Sequence, residues 1–200
     1  MGKTADYYFS PISPWTYLGH ARFAAMAQRH GAAVRVKPAD FGKIFPVSGG
    51  LPLPKRAPQR QAYRLVELKR FSEYLKLPLN LQPKFFPAPG DLAAQFIVAA
   101  GRAGGGDAAM RLAGAIQRAC WAEERNIADA ATLAAICSEQ GMDAAKLAAA
   151  AQSDEAKAEY AANTQEAIER GVFGAPSYVI DGEIFWGQDR LDFVERALAA

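Results

Sequence analysis

The tightest constraint on the fold lies near the C-terminal end. There Ser177-Tyr178-Val179-Ile180 and Glu183-Ile184-Phe185-Trp186 flank Asp181-Gly182, a pair that favours a two-residue hairpin turn because both positions tolerate positive φ. A final helix from about Asp189 to Leu198 follows. The opposite end supplies a second small unit. Ala5-Asp6-Tyr7-Tyr8-Phe9 reads as a short aromatic strand, and Ser13-Pro14 as a helix start with Ser as N-cap and Pro where a missing N–H costs nothing. Tyr17, Leu18, Ala21, Ala24, Ala25 and Met26 then recur at helical spacing, with Gly31 as a stop. Val34-Arg35-Val36-Lys37 alternates as a strand that Pro38 ends.

Between these ends the chain reads as helix. Alanine concentrates from roughly Ala93 to Ala167, raising helix propensity. Helices are predicted over Gln59–Lys76, Asp91–Ala103 and Gly106–Glu124, and further ones from caps at Asp129, Asp143 and Asp154, with Gly141 and Gly171 as stops. The stretch from Ala39 to Pro58, with Ser48-Gly49-Gly50 followed by Pro52, Pro54 and Pro58, reads as a long loop of the kind that often carries function. Gly104-Gly105-Gly106 lacks the Gly-Lys-Ser/Thr ending of a phosphate loop and reads as a helix–helix turn. The order β-α-β, helices, β-β-α makes one small mixed sheet if the helical block is an insertion. That is an α/β fold of thioredoxin type with an inserted all-helical domain, residues 1–40 and 170–200 forming the thioredoxin-like part and 41–169 the loop plus helical insertion.

Composition narrows the class. Half the 200 residues are hydrophobic and 22% charged, enough apolar surface for a real core. The balance of 23 Lys plus Arg against 21 Asp plus Glu, without a basic run, argues against a nucleic-acid binder. Apolar stretches are broken by charge before membrane-spanning length, and Met1–Phe9 lacks the cationic and apolar regions of a secretion signal. The two cysteines, Cys120 and Cys137, form no Cys-x-x-Cys pair and read as small hydrophobes on helix faces. A soluble, reduced, cytoplasmic protein is expected. His20 and His30 have no metal-ligand spacing, so no metal is expected, and His30 beside Gly31 reads as a charge partner at a helix end. Trp121, Trp186, Phe96 and Phe85 read as core, and Arg64, Lys69 and Arg70 as a solvated face.

In a thioredoxin-type fold the reactive group sits at the N-terminus of the first helix, where free N–H groups and the helix dipole stabilise a thiolate. Here the four residues are Ser13-Pro14-Trp15-Thr16, with hydroxyls where two thiols would be, which excludes dithiol redox chemistry. Ser13 is either a plain cap or a hydroxyl that donates to the thiolate of a bound cofactor such as glutathione. Pro176, after Gly174-Ala175, is either a strand-edge residue or a cis proline facing that helix end. Asp189 is either the N-cap of the last helix or, with Gln188, the partner of a ligand carrying an amine and a carboxylate.

Together these features resemble the 2-hydroxychromene-2-carboxylate isomerase family, which is related to the kappa class of glutathione transferases. The segment Tyr8-Phe9-Ser10-Pro11-Ile12-Ser13-Pro14-Trp15-Thr16-Tyr17-Leu18-Gly19 is similar to the family's N-terminal motif. Asn163–Ala167, Gly171–Pro176 and Phe185–Leu191 resemble its C-terminal motif more closely. The resemblance implies a homodimer that uses glutathione and acts on a small aromatic or chromene carboxylate. It implies that Ser13 contacts the glutathione sulfur, that Ala175 before Pro176 pairs with the cysteinyl backbone, and that Gln188, Asp189 and Arg190 hold the γ-glutamyl group. Lys43, Arg60 and Asn163 are implied near the substrate. The chain departs from the family at Ser10, where Asp is frequent, at Thr16, where Ser is common, at Ser48-Gly49-Gly50, where many have Asn, and at Arg60, where Lys is common. A kappa-like transferase and a non-catalytic glutathione binder are the alternatives.

Overall fold

The computed structural model describes residues 2–200, and Met1, at the head of the segment read for a secretion signal, lies outside them. Four strands form one mixed sheet in the order β2-β1-β3-β4: β1 Thr4–Phe9, β2 Ala33–Pro38, β3 Ser177–Ile180 and β4 Glu183–Trp186. β1 runs parallel to β2 and antiparallel to β3, so the two chain ends meet in the middle of the sheet with Tyr7 opposite Tyr178. Asp181 and Gly182 both take positive φ in the β3–β4 turn, as the hairpin requires.

Alternation along β1 divides its side chains between two cores. Ala5, Tyr7 and Phe9 enter the larger one with Leu18 and Phe23 of α1 (Pro14–Arg29), Tyr178 and the helical block. Tyr8 enters a smaller one with Phe41 and Ile44 of α2 (Phe41–Ser48) and Ala167. The stretch expected as a long loop is therefore partly helical. Asp40 caps α2 by accepting the Gly42 N–H at 2.8 Å, and Gly49 ends it in the left-handed region.

The helical block comprises α3 (Pro58–Leu75), α4 (Asp91–Trp121), α5 (Ala130–Glu139), α6 (Ala144–Ala151) and α7 (Asp154–Glu169), and α8 (Leu191–Ala199) closes the chain. Gly105, at φ 75° and ψ −172°, breaks α4 where the glycine run was read as a turn. The break brings Gly106 against the Val34 carbonyl of edge strand β2, where a Cβ would lie only 2.7 Å away. Ser153, not Asp154, caps α7, because its hydroxyl accepts the Ala156 N–H at 3.2 Å. Asp189 does not cap α8: it sits within a single 3₁₀ turn, Gln188–Arg190, that precedes that helix. Trp186 is half-exposed over Gly174 rather than in the core, while Trp121 and Phe96 are buried as expected.

Candidate functional site

Ser13 is the N-cap of α1, its Oγ accepting the Thr16 N–H at 3.2 Å while its carbonyl accepts the Tyr17 N–H at 3.1 Å. Pro14 has no N–H, so among the described residues the Trp15 N–H is the donor left without a partner at the helix mouth. The accepting role leaves the Ser13 O–H free to donate elsewhere. Ser13 lies in a cleft of about 820 Å³ with Ser10, Trp15, Ala175 and Trp186. A second lobe of about 500 Å³ shares Trp15, Ala175 and Trp186 and runs on to Gln188, Asp189 and Arg190.

The Ala175–Pro176 bond is cis. The Pro176 carbonyl accepts the Gly187 N–H at 2.9 Å, joining the proline to the turn after β4, but among the described residues neither backbone group of Ala175 has a backbone partner. Gly174 makes room for the Trp186 indole, since a Cβ there would meet Nε1 at 2.2 Å. Gly19 plays the same part on α1, where a Cβ would meet the Gln188 side chain at 2.8 Å. Arg22, also on α1, donates through Nη2 to the Gln188 carbonyl at 2.8 Å and to its side-chain oxygen. Gln188 is thus anchored inward with its Nε2 buried and unpartnered, while Asp189 remains half-exposed and, among the described residues, pairs only with Arg190, at 2.6 Å.

The expected site residues divide accordingly. Ser13, Ala175, Gln188, Asp189, Arg190 and Arg60 all line the two-lobed cleft. Lys43 lies outside the lining on the exposed side of α2, 3.9 Å from Asp40, and Asn163 is buried on α7 with its Nδ2 unpartnered. Two cationic lining residues, Arg56 and Arg64, were not placed at the site by the sequence. Arg56 lies two residues before α3, with its Nε donating to the Leu51 carbonyl at 2.7 Å. Arg64, expected on a solvated face, instead turns into the cleft and lies 5.4 Å from the Phe86 ring centroid.

The protein's own thiols are remote from this chemistry. Burial pushes the Cys120 thiol up to about 12 and Cys137 to about 11, which keeps both protonated at neutral pH. His20 is buried on α1: its Nε2 donates to the Met110 carbonyl at 3.0 Å and its Nδ1 accepts from the Tyr7 hydroxyl at 3.2 Å. Burial holds its pKa at about 4, so it is a neutral structural bridge. Among the described residues no helix is long and apolar enough to cross a membrane.

A DSBA-like thioredoxin domain matches residues 4–199. A 2-hydroxychromene-2-carboxylate isomerase of Sphingobium xenophagum is 30% identical over 199 residues, covering 99% of both chains. A solved structure of a 2-hydroxychromene-2-carboxylate isomerase superposes with a TM-score of 0.82 at 26% identity, covering 98% of this chain and 94% of that one. Over 81 residues, 40% of this chain and 35% of the relative, there is 32% identity to glutathione S-transferase kappa 1 of Caenorhabditis elegans.

Proposed function

The chain belongs to the DSBA-like thioredoxin domains and, among them, to the 2-hydroxychromene-2-carboxylate isomerase family, and from that premise we propose that it isomerises 2-hydroxychromene-2-carboxylate to trans-o-hydroxybenzylidenepyruvate with glutathione as cofactor. One observation carries this reading: a capped helix mouth with a free hydroxyl shares a cleft with the unpaired backbone of Ala175, and both thiol positions of the motif are hydroxyls. The residues fit a tripeptide thiol. Ala175 offers a backbone N–H and C=O to a peptide, Trp15 an N–H, and Asp189 a carboxylate for an amine.

Bound glutathione would supply a thiolate that adds reversibly to the conjugated substrate, so that a former double bond can rotate before elimination. The protein's contribution is mainly electrostatic. Ser13 donates its O–H to the sulfur, and the Trp15 N–H and the α1 dipole add to the same field. Donors fixed before reaction stabilise developing charge without reorganising. Gln188, Asp189 and Arg190 hold the γ-glutamyl end, with the Gln188–Arg190 turn fixed on α1 by Arg22. Arg60 meets the substrate carboxylate in the larger lobe. Lys43 on α2 and Asn163 on α7, which packs against α2, stay in the proposal as residues around that lobe. The family resemblance supports a homodimer, and two cysteines that form no Cys-x-x-Cys pair support the reducing cytoplasm.

The test is the absorbance change of 2-hydroxychromene-2-carboxylate with and without glutathione. Turnover that needs glutathione is expected. Glutathione binding without turnover would favour the second reading, a kappa-like transferase, for which the partial likeness to the nematode enzyme speaks and which a halonitrobenzene conjugation assay detects. Absence of both binding and turnover would return Ser13 to a plain helix cap.

A further inference from the structure

Among the described residues, three guanidinium groups in the cleft lack a carboxylate counter-ion. Arg56, Arg60 and Arg64 line it, yet each carboxylate lining it is engaged elsewhere. Asp40 accepts the Gly42 N–H, Asp91 accepts the Tyr160 hydroxyl at 3.1 Å, Glu67 pairs with Arg70 at 2.7 Å and Asp189 with Arg190 at 2.6 Å. Arg64 is the most enclosed of the three. Its guanidinium lies 5.4 Å from the Phe86 centroid and 5.8 Å from that of Trp121. Burial, and secondarily the charge of Arg56, lower its pKa to about 10. A leucine or methionine would cover the same two rings without like-charge repulsion from Arg56, so packing does not account for the charge.

The proposed isomerisation uses one of these cations, Arg60, for the single carboxylate of a chromene carboxylate. Arg56 and Arg64 are left over in a lobe that also presents Phe41, Phe45 and Phe86. We propose that Arg64, supported by Arg56, binds a second anionic group on the substrate's ring system, so that the preferred substrates are arenes carrying two anionic groups. The proposal rests on the glutathione-dependent reading and extends it to a substrate class. Guanidinium is suited to the role because its planar fork donates two parallel hydrogen bonds to a carboxylate while its face stays on an aromatic ring.

The probes are benzoate and isophthalate, which differ by one ring carboxylate. Each is titrated into the full-length protein at fixed ionic strength with glutathione present, following tryptophan fluorescence, and glutathione alone is titrated by calorimetry. Isophthalate is expected to bind at least ~10-fold more tightly than benzoate, as a charge-assisted pair of hydrogen bonds implies. Arg64→Leu should bring the two within about twofold and leave glutathione affinity unchanged, while Arg64→Lys keeps part of the preference. Arg64→Met repeats the test if the leucine variant fails to fold. Equal binding by the wild type, no binding of either probe, or a preference that survives Arg64→Leu overturns the proposal. Loss of glutathione affinity in Arg64→Leu also overturns it and assigns the cation to the cofactor's glycyl carboxylate. Preferential isophthalate binding by a protein that ignores glutathione would keep the subsite and sink the cofactor reading instead.

Discussion

The α7 face of the sheet and the cleft above α1 both concentrate charge, and they treat it in opposite ways. On the α7 face Asp6, only 2% exposed, is bridged by Arg35 and by Arg170 at 3.3 Å. Glu166 takes Lys37 at 2.6 Å, Arg170 at 3.1 Å and the Tyr8 hydroxyl at 2.8 Å. This network ties β1 and β2 to α7, and each of its charges has a partner. In the cleft, by contrast, arginines face apolar and aromatic lining with their carboxylate neighbours already occupied. A closed network holds elements in register; an open one is matched only by something that arrives. Mutations on the first face should register in stability and those in the cleft in binding or turnover.

The largest separation is expected at Ser13. Ser13→Ala removes the donor aimed at the sulfur, and loss of one such preorganised donor lowers turnover by about 10² or more. As a helix cap the same change costs only about 1 kcal/mol. Kinetics and thermal melting on one sample check both, and unchanged turnover would refute the assigned role.

His20 should show the opposite pattern, with a large stability effect and no direct part in the chemistry. Its folded pKa of about 4 lies below the ordinary 6.5 because burial disfavours the imidazolium. The unfolded chain therefore takes up the proton first, and the stability present above pH 6.5 is lost as pH falls toward 4. Linkage puts that loss on the order of 3 kcal/mol. Urea unfolding at pH 7 and pH 4 should show a smaller decline in His20→Gln than in the wild type, and equal declines would contradict the buried neutral assignment.

What was legible in the sequence follows the same division. Local chemistry announced itself: Asp181-Gly182 fixed a hairpin, Ser13-Pro14 a capped helix, Gly105 a break. The thioredoxin-type fold with its helical insertion followed from the order of elements, and nothing local opposed it. α2 escaped notice because prolines and glycines surround it, and only the Asp40 cap with Gly49 at positive φ makes those eight residues a helix. Arg64 was misread for a different reason. α3 fully buries only Leu68, so its periodicity barely marks an inner face, and the rings that receive Arg64 come from Phe86 and from Trp121 at the far end of α4. Trp186 likewise has the composition of a core residue, yet lies at the sheet edge over a glycine.

Within the closed network, Asp6→Ala leaves Arg35 and Arg170 without their shared anion. Both cations are at least a third exposed and regain water, so the cost is about 2 kcal/mol, below that of breaking a fully buried pair. Glutathione affinity should be unchanged in this variant. A loss of affinity comparable to the loss of stability would mean that the two regions are coupled through β1.

The smallest effect is expected at the outer end of the cleft, where Asp189 is half-exposed and bonded to its neighbour Arg190. Asp189→Asn removes the charge that meets the γ-glutamyl amine but keeps the size and an acceptor oxygen, so glutathione affinity should fall about tenfold while the melting temperature stays put. Solvent screening at this position limits the effect, and raising the salt concentration should narrow the gap between wild type and variant. A glutathione analogue lacking the α-amine isolates the contact. If Asp189 serves the amine, the analogue binds wild type and variant equally. If the variant weakens the analogue as much as glutathione itself, Asp189 acts by shaping the Gln188–Arg190 turn, and the amine finds its partner elsewhere.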